Sequence, residues 1–277
     1  RKKPEHAYAH TEITMIKLIA SDIDGTLLTG GNREIPAKVI EYIDILSQYG
    51  VVFTTASGRQ YPNLRRLFLP VADKIAYICE NGAFIKYKGE DLFKSAMDRK
   101  AAIELLKDIE ARDNCEFLIS GEEVSYIKPK EEEYLIHMRD HVKNDIVVIN
   151  DFKEIKEDII KVSVYNKNGI DNDSPYYHEK FGSVFKDTVS GKCWMDFVNK
   201  GVNKGAALKI LKEKIGADFE ESASFGDNFN DLEMFEETYY SYAMNTSCAE
   251  IRSSARYVTH DVESVLFDIN MMYLWQK

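Results

Sequence analysis

The sequence predicts an α/β protein, a parallel sheet with covering helices, interrupted by an inserted unit of α+β character. Three observations carry this. Short apolar runs alternate with stretches of helical period at both ends of the chain, as in parallel βαβ units. Several of the apolar runs end directly in polar loops that begin Ser21-Asp22, Ala56-Ser57 and Gly226-Asp227. The middle of the chain departs from this rhythm, with helices followed by strands in groups.

In order, residues 16–20 form a buried strand. Ile35, Val39, Ile40, Ile43 and Leu46 recur at helical spacing, and Gly50 closes that helix. Residues 51–55 make a second strand, 61–69 a short helix and 75–79 a third strand. In the middle, 101–109 and 132–141 read as helices, and 116–119, 124–127, 159–165, 183–187 and 194–198 as strands. The α/β rhythm then returns. Residues 204–215 form a helix with Leu208, Leu211 and Ile215 on one face, followed by strands at 222–225 and 239–243 and a last amphipathic helix at 262–274. The expected division is an N-terminal extension at 1–14, a core built from 15–87 and 191–277, and an inserted unit at about 88–190. Ligands of such sheets collect beyond the carboxyl ends of the strands, so Asp22, Ser57 and Asn81 should converge.

Composition narrows the function. The hydrophobic fraction is 44% and the charged fraction 30%, which permits a sizeable core. A net charge of -10 disfavours nucleic acid and anionic membrane as partners. It would also repel a small anionic substrate unless a local cationic site or a metal overrides it. The four cysteines form no Cys-x-x-Cys pair, which suits reduced thiols and a cytoplasmic setting. No apolar run reaches membrane-spanning length.

Asp22 and Asp24 flank one residue after a strand. Two carboxylates on one face of a turn are costly unless a cation lies between them or one is protonated. Gly25 permits the sharp turn and Thr26 can hydrogen-bond back to the loop. A turn with two capping acids is the ordinary role of such a pair, and the specificity comes from the longer run through Thr26 and Leu28. Gly226-Asp227-Asn228-Phe229-Asn230-Asp231 is a second acidic cluster after a strand. Asp227 can complete a hard-oxygen magnesium site with Asp22 and a backbone carbonyl. Ser57-Gly58-Arg59 offers a hydroxyl and free amides for phosphate oxygens, and Lys204 opens a helix. Alone, each would be read as a helix cap, a β-to-α turn or a solvated lysine. Together they make the cationic pocket that an acidic protein needs to attract phosphate.

These residues, in this order, resemble the haloacid dehalogenase superfamily, and more narrowly its Cof-type phosphatases with a large α/β cap. The matching runs are Asp22-Ile23-Asp24-Gly25-Thr26, Ser57-Gly58-Arg59, Lys204-Gly205 and Gly226-Asp227-Asn228-Phe229-Asn230-Asp231, with Glu80-Asn81-Gly82-Ala83 typical of the subgroup. The resemblance implies a Rossmann-like core and an aspartyl-phosphate route. Asp22 would be the nucleophile and Asp24 the general acid and base. Mg2+ would be held by Asp22, the Asp24 backbone carbonyl and Asp227. Ser57, Lys204 and Asn230, with the Ile23 and Gly58 amides, would hold the phosphoryl group, and Asp231 would support the metal shell or Lys204. A small phosphorylated metabolite, such as a sugar phosphate, is the implied substrate.

The chain departs from the family pattern at Met244-Asn245-Thr246-Ser247 and at His260-Asp261-Val262-Glu263-Ser264, two segments expected near the active site. Phosphomutase and non-catalytic phosphometabolite binding are the alternatives. Retention of Asp22, Asp24 and Asp227 weighs against the second. Tyr126, Tyr134, His137, Tyr176, Tyr177 and His178 are candidate leaving-group contacts in the inserted unit, although ordinary packing or surface roles are the commoner fate of such residues.

Overall fold

The computed structural model describes residues 15–275; the expected extension at 1–14 lies outside the described residues. The chain begins with β1 (Leu18–Ser21), α1 (Ala37–Gln48), β2 (Val52–Ala56), α2 (Tyr61–Leu67) and β3 (Ala76–Cys79), then a hairpin of β4 (Phe84–Tyr87) and β5 (Glu90–Lys94). It continues through α3 (Arg99–Glu110), β6 (Glu116–Ser120), β7 (Ser125–Ile127), α4 (Glu132–His137), β8 (Ile146–Val148), β9 (Lys161–Tyr165), α5 (Ser174–Phe181), β10 (Phe185–Gly191) and β11 (Trp194–Asn199). The last part is α6 (Lys204–Ile215), β12 (Ser222–Gly226), α7 (Leu232–Glu236), β13 (Tyr240–Met244), α8 (Ala249–Ser254), β14 (Tyr257–Thr259) and α9 (Val262–Leu274).

Two sheets result. One has eight strands in the order β14-β13-β12-β1-β2-β3-β4-β5, and the other six in the order β10-β11-β9-β6-β7-β8. In the first, β14 through β3 run parallel, and β4 pairs antiparallel with both β3 and β5. Every residue of β1 is buried, the signature of a strand covered on both faces. Leu18 and Ala20 pack with Leu208 and Leu211 of α6. Ile19 packs on the other side with Val39 and Ile43 of α1 and Leu266 of α9. Burying each Leu or Ile in this way contributes about 1.5–3 kcal/mol. The second sheet pairs antiparallel except for β7 with β8. Leu105, Leu106 and Ile109 of α3 and Tyr177 of α5 cover one of its faces, beside Phe117, Val162 and Phe197.

The change of sheet does not fall at 88 and 190. β5 belongs to the first sheet and β11 to the second. Hydrogen-bond pairing, which composition does not report, therefore moves both seams toward the C-terminus. The β4–β5 hairpin carries a tight turn at Lys88 (φ 53) and Gly89 (φ 80). Lysine seldom accepts that conformation, so the usual Asn-Gly hairpin signal is missing. β8 and β14 also lie at sheet edges, with exposed residues that blur the apolar pattern. All four cysteines are free, with Cys79 and Cys115 buried. Among the described residues, no helix is long and apolar enough to cross a membrane.

Candidate active site

The neighbouring strands β12, β1, β2 and β3 end at one edge of the first sheet. Ser21 is level with both Phe225 and Thr55, so the loops that follow leave the sheet side by side. The chain order reverses between β1 and β12, which makes this edge the crevice where α/β sheets collect ligands. It delivers Asp22, Ser57, Glu80-Asn81 and Asp227.

Lys204 is the centre of the cluster. It stands at the first position of α6, behind the cap Asn203, whose side chain accepts from Ala206 N at 2.7 Å. Its side chain is fully buried, and its Nζ donates to Asp22 Oδ1 at 2.6 Å and Asp231 Oδ1 at 2.7 Å. Burial alone would discharge this lysine, but the two carboxylates hold its pKa above the ordinary value. Asp22 is also buried, and burial pushes its pKa up to about 8 against the pull of Lys204, with Asp231 and Asp227 adding to the rise. Burial likewise raises Asp227. The Thr26 hydroxyl reaches Asp227 Oδ1 at 2.9 Å, so it ties the first acidic loop to the second rather than bonding within its own turn.

Ligand atoms of Asp22, Asp227 and Asp231 lie within 4.8 Å of one another. Three carboxylates against one ammonium leave the cluster short of positive charge, which a divalent cation relieves. Asp231 is otherwise engaged: Oδ1 accepts from Lys204, and Oδ2 accepts from the Asp227 and Asn228 backbone N–H groups. Asp22 and Asp227 are thus the side chains best placed to meet a hard cation, and the donor set fits magnesium.

Gly25 is indispensable to this approach. Its φ is 94°, and a Cβ there would lie 2.3 Å from Asp227 Oδ2. Gly25→Ala is expected to cost about 1–3 kcal/mol and to weaken magnesium binding by displacing Asp227. Denaturant unfolding and metal titration would check this, and unchanged stability would refute the close approach.

The remaining residues are less gathered. The Asp24 side chain is exposed and is not one of the clustered carboxylates; Arg59 grips it with Nε at 2.8 Å and Nη2 at 2.5 Å. Ser57 is buried, and its Oγ accepts from Arg59 N at 3.2 Å. Asn230 donates to Asn81 Oδ1 at 3.1 Å, and the Asn81 side chain lies over Gly58. The Ile23 and Gly58 N–H groups have no acceptor among the described residues, so both remain available to an anion.

A cleft of about 840 Å³ runs between the segment after the first acidic loop, α2 and the end of the α4 region. Arg33, Arg59, Arg66, His141 and Lys143 line it with Glu34. None of the aromatic and histidine candidates in the inserted unit lines this cleft. Tyr126 and Tyr177 belong to the core of that unit, Tyr134 donates to Phe117 O, and His137 stacks on Tyr165. Tyr176 covers Arg112 and His178 meets Asp187. The basic lining was detectable only as scattered Arg, His and Lys, since helix packing decides which of them share a wall. Of the two departing segments, Met244 and Asp261–Ser264 (261–264) wall a separate groove beside Thr26.

A family model described as haloacid dehalogenase-like hydrolase matches residues 19–265. The chain is 26% identical over 243 residues to a 5-amino-6-(5-phospho-D-ribitylamino)uracil phosphatase of Escherichia coli, covering 87% of this chain and 90% of that protein. It is 27% identical over 234 residues to a phosphoglycolate phosphatase of Thermoplasma volcanium, covering 80% and 82%. A solved structure from Eubacterium rectale superposes with a TM-score of 0.82 at 28% identity, covering 92% of this chain and 99% of that one.

Proposed function

The chain belongs to the haloacid dehalogenase-like hydrolases, among the Cof-type phosphatases, and is a phosphoric monoester hydrolase; from that premise we propose that Asp22 is its nucleophile in a magnesium-dependent, two-step hydrolysis. The supporting observation is Asp22 itself, buried, paired with Lys204 and within ligand reach of Asp227.

In the first step an Asp22 carboxylate oxygen attacks phosphorus, and the bond to the leaving alcohol breaks as Asp24 gives that oxygen a proton. In the second, Asp24 takes a proton from water, the water oxygen attacks phosphorus, and Asp22 is released with inorganic phosphate. Lys204, the Ser57 hydroxyl, Asn230 and the Ile23 and Gly58 amides hold the phosphoryl oxygens as charge redistributes. Magnesium, held by Asp22, Asp227 and the Asp24 backbone carbonyl, would offset phosphoryl charge. Thr26 orients Asp227, and Asp231 orients Lys204.

The inserted unit is read as the cap that selects the leaving group. The two curated relatives above are named for a phosphoribitylamino-uracil and for phosphoglycolate, both small phosphate monoesters. The basic cleft of about 840 Å³ suits a polar metabolite of that size, such as a sugar or polyol phosphate. Phosphate release from an aryl phosphate is expected with Mg2+, to be lost on chelation and restored on re-adding Mg2+. Asp24→Asn should lower kcat by about 10²–10⁴-fold. Turnover indifferent to chelation would refute the metal reading.

A further inference from the structure

We propose that Lys161, carried by the inserted unit, is a positioning residue that orients the phosphate-holding turn Ser57-Gly58-Arg59 of the other sheet. This rests on the reading of that turn as a phosphoryl site.

The three carbonyl oxygens of the turn are each held. Asn81 N donates to Ser57 O at 2.9 Å and Glu80 N to Arg59 O at 3.2 Å. The middle one, Gly58 O, accepts from Lys161 Nζ at 3.0 Å. In a planar trans peptide, C=O and N–H point opposite ways. The Asn81 tie on Ser57 O therefore turns the Gly58 N–H outward toward an anion, and the Lys161 tie on Gly58 O sets the Arg59 N–H, which donates to Ser57 Oγ at 3.2 Å and so positions that hydroxyl. Two of the ties come from the loop after β3, beside the turn. Only the Lys161 tie comes from the second sheet, 103 residues away.

The setting of Lys161 is costly for a merely structural contact. Lys161 and Glu80 are both buried, with Nζ 2.5 Å from Glu80 Oε2 and 3.7 Å from Asp196 Oδ2. Ser163 holds the other Asp196 oxygen at 2.6 Å, while neither Glu80 oxygen makes a well-formed hydrogen bond. Glu80 also takes φ 50°, left-handed and unfavourable for a side chain of its size. Buried ion pairs replaced by apolar groups of similar shape are often neutral or stabilising, so stability alone does not account for this one. Its placement does: Lys161 answers Glu80 and Asp196 and keeps one donor for Gly58. Gln60, next after the turn, is held by the same unit, donating to Gly121 O at 3.1 Å and accepting from Ser125 at 2.8 Å. Docking of the inserted unit thus completes the phosphate loop.

The test compares the full-length wild type, Lys161→Met, the double variant Glu80→Gln/Lys161→Met and Ser57→Ala, all with Mg2+. The double variant removes the more closely paired carboxylate, Glu80, along with Lys161 and leaves Asp196 its Ser163 hydrogen bond, so it is expected to fold where the single variant fails. The readouts are melting temperature, inhibition by inorganic phosphate, and kcat and KM for an aryl phosphate. The expected result is a folded double variant with phosphate inhibition weakened about 10-fold or more and kcat reduced by a similar factor. A folded double variant with unchanged phosphate inhibition and kcat overturns the proposal. If Ser57→Ala weakens phosphate inhibition and the double variant does not, the Lys161 role alone falls. If Ser57→Ala also leaves phosphate inhibition unchanged, the phosphoryl reading of the turn falls and takes the Lys161 role with it.

Discussion

Asp22→Asn is expected to lower kcat by roughly 10⁴-fold or more while the protein stays folded. An amide cannot make the covalent phosphoryl bond, so the two-step route closes. The fold tolerates the change because Lys204 keeps Asp231 at 2.7 Å, which leaves no buried charge unpaired. Neutralising one of three crowded carboxylates also relieves repulsion. The check is phosphate release from an aryl phosphate alongside thermal unfolding. A folded variant with turnover within about tenfold of the wild type would remove Asp22 from the nucleophile role.

Lys204→Met should cost activity and stability together. Its ammonium is the cation between Asp22 and Asp231, and the whole side chain is out of water. Removing one partner of a buried ion pair typically costs about 3–5 kcal/mol, because the remaining charge is left buried and uncompensated. Denaturant unfolding would read this loss, and an aryl phosphate assay the loss of turnover. Lys200→Met is the natural control: that residue is exposed, and surface changes usually stay within about 0.5 kcal/mol. Equal melting for the two variants would contradict the central place given to Lys204. Millimolar Mg2+ should recover part of the Lys204→Met loss, since a divalent cation can offset the same carboxylates.

Much of the first sheet was legible because its signals are local. β1, β2, β3 and β12 are short apolar runs bounded by polar loops, and α1 and α6 repeat their buried residues at helical spacing. The β4–β5 hairpin was not legible, since its turn relies on a lysine in the left-handed region. α5 was not legible either: it is only eight residues long, and Tyr177 and Phe181 are its only buried side chains. In the site, the residue types were readable but their partners were not. The Asp24 grip by Arg59 spans 35 residues, the Thr26 bond to Asp227 spans 201, and the Lys161 tie to Gly58 spans 103.

By itself, the sequence determined which residue types follow which strands, Asp22 and Asp24, Ser57, and Asp227 with its neighbours through Asp231, and that Lys204 opens a helix. Periodicity and loop composition are properties of adjacent residues, so they survive without coordinates. Only the tertiary structure decided the assignments among those groups. It committed both oxygens of Asp231 to Lys204 and two backbone amides, turned Asp24 out to Arg59, and brought a lysine of the inserted unit against the phosphate turn. For Asp231 and Lys161 the physical reason is that a buried polar atom must find a partner where packing leaves one; in all three, packing joins strands and helices whose distance along the chain says nothing of their distance in space.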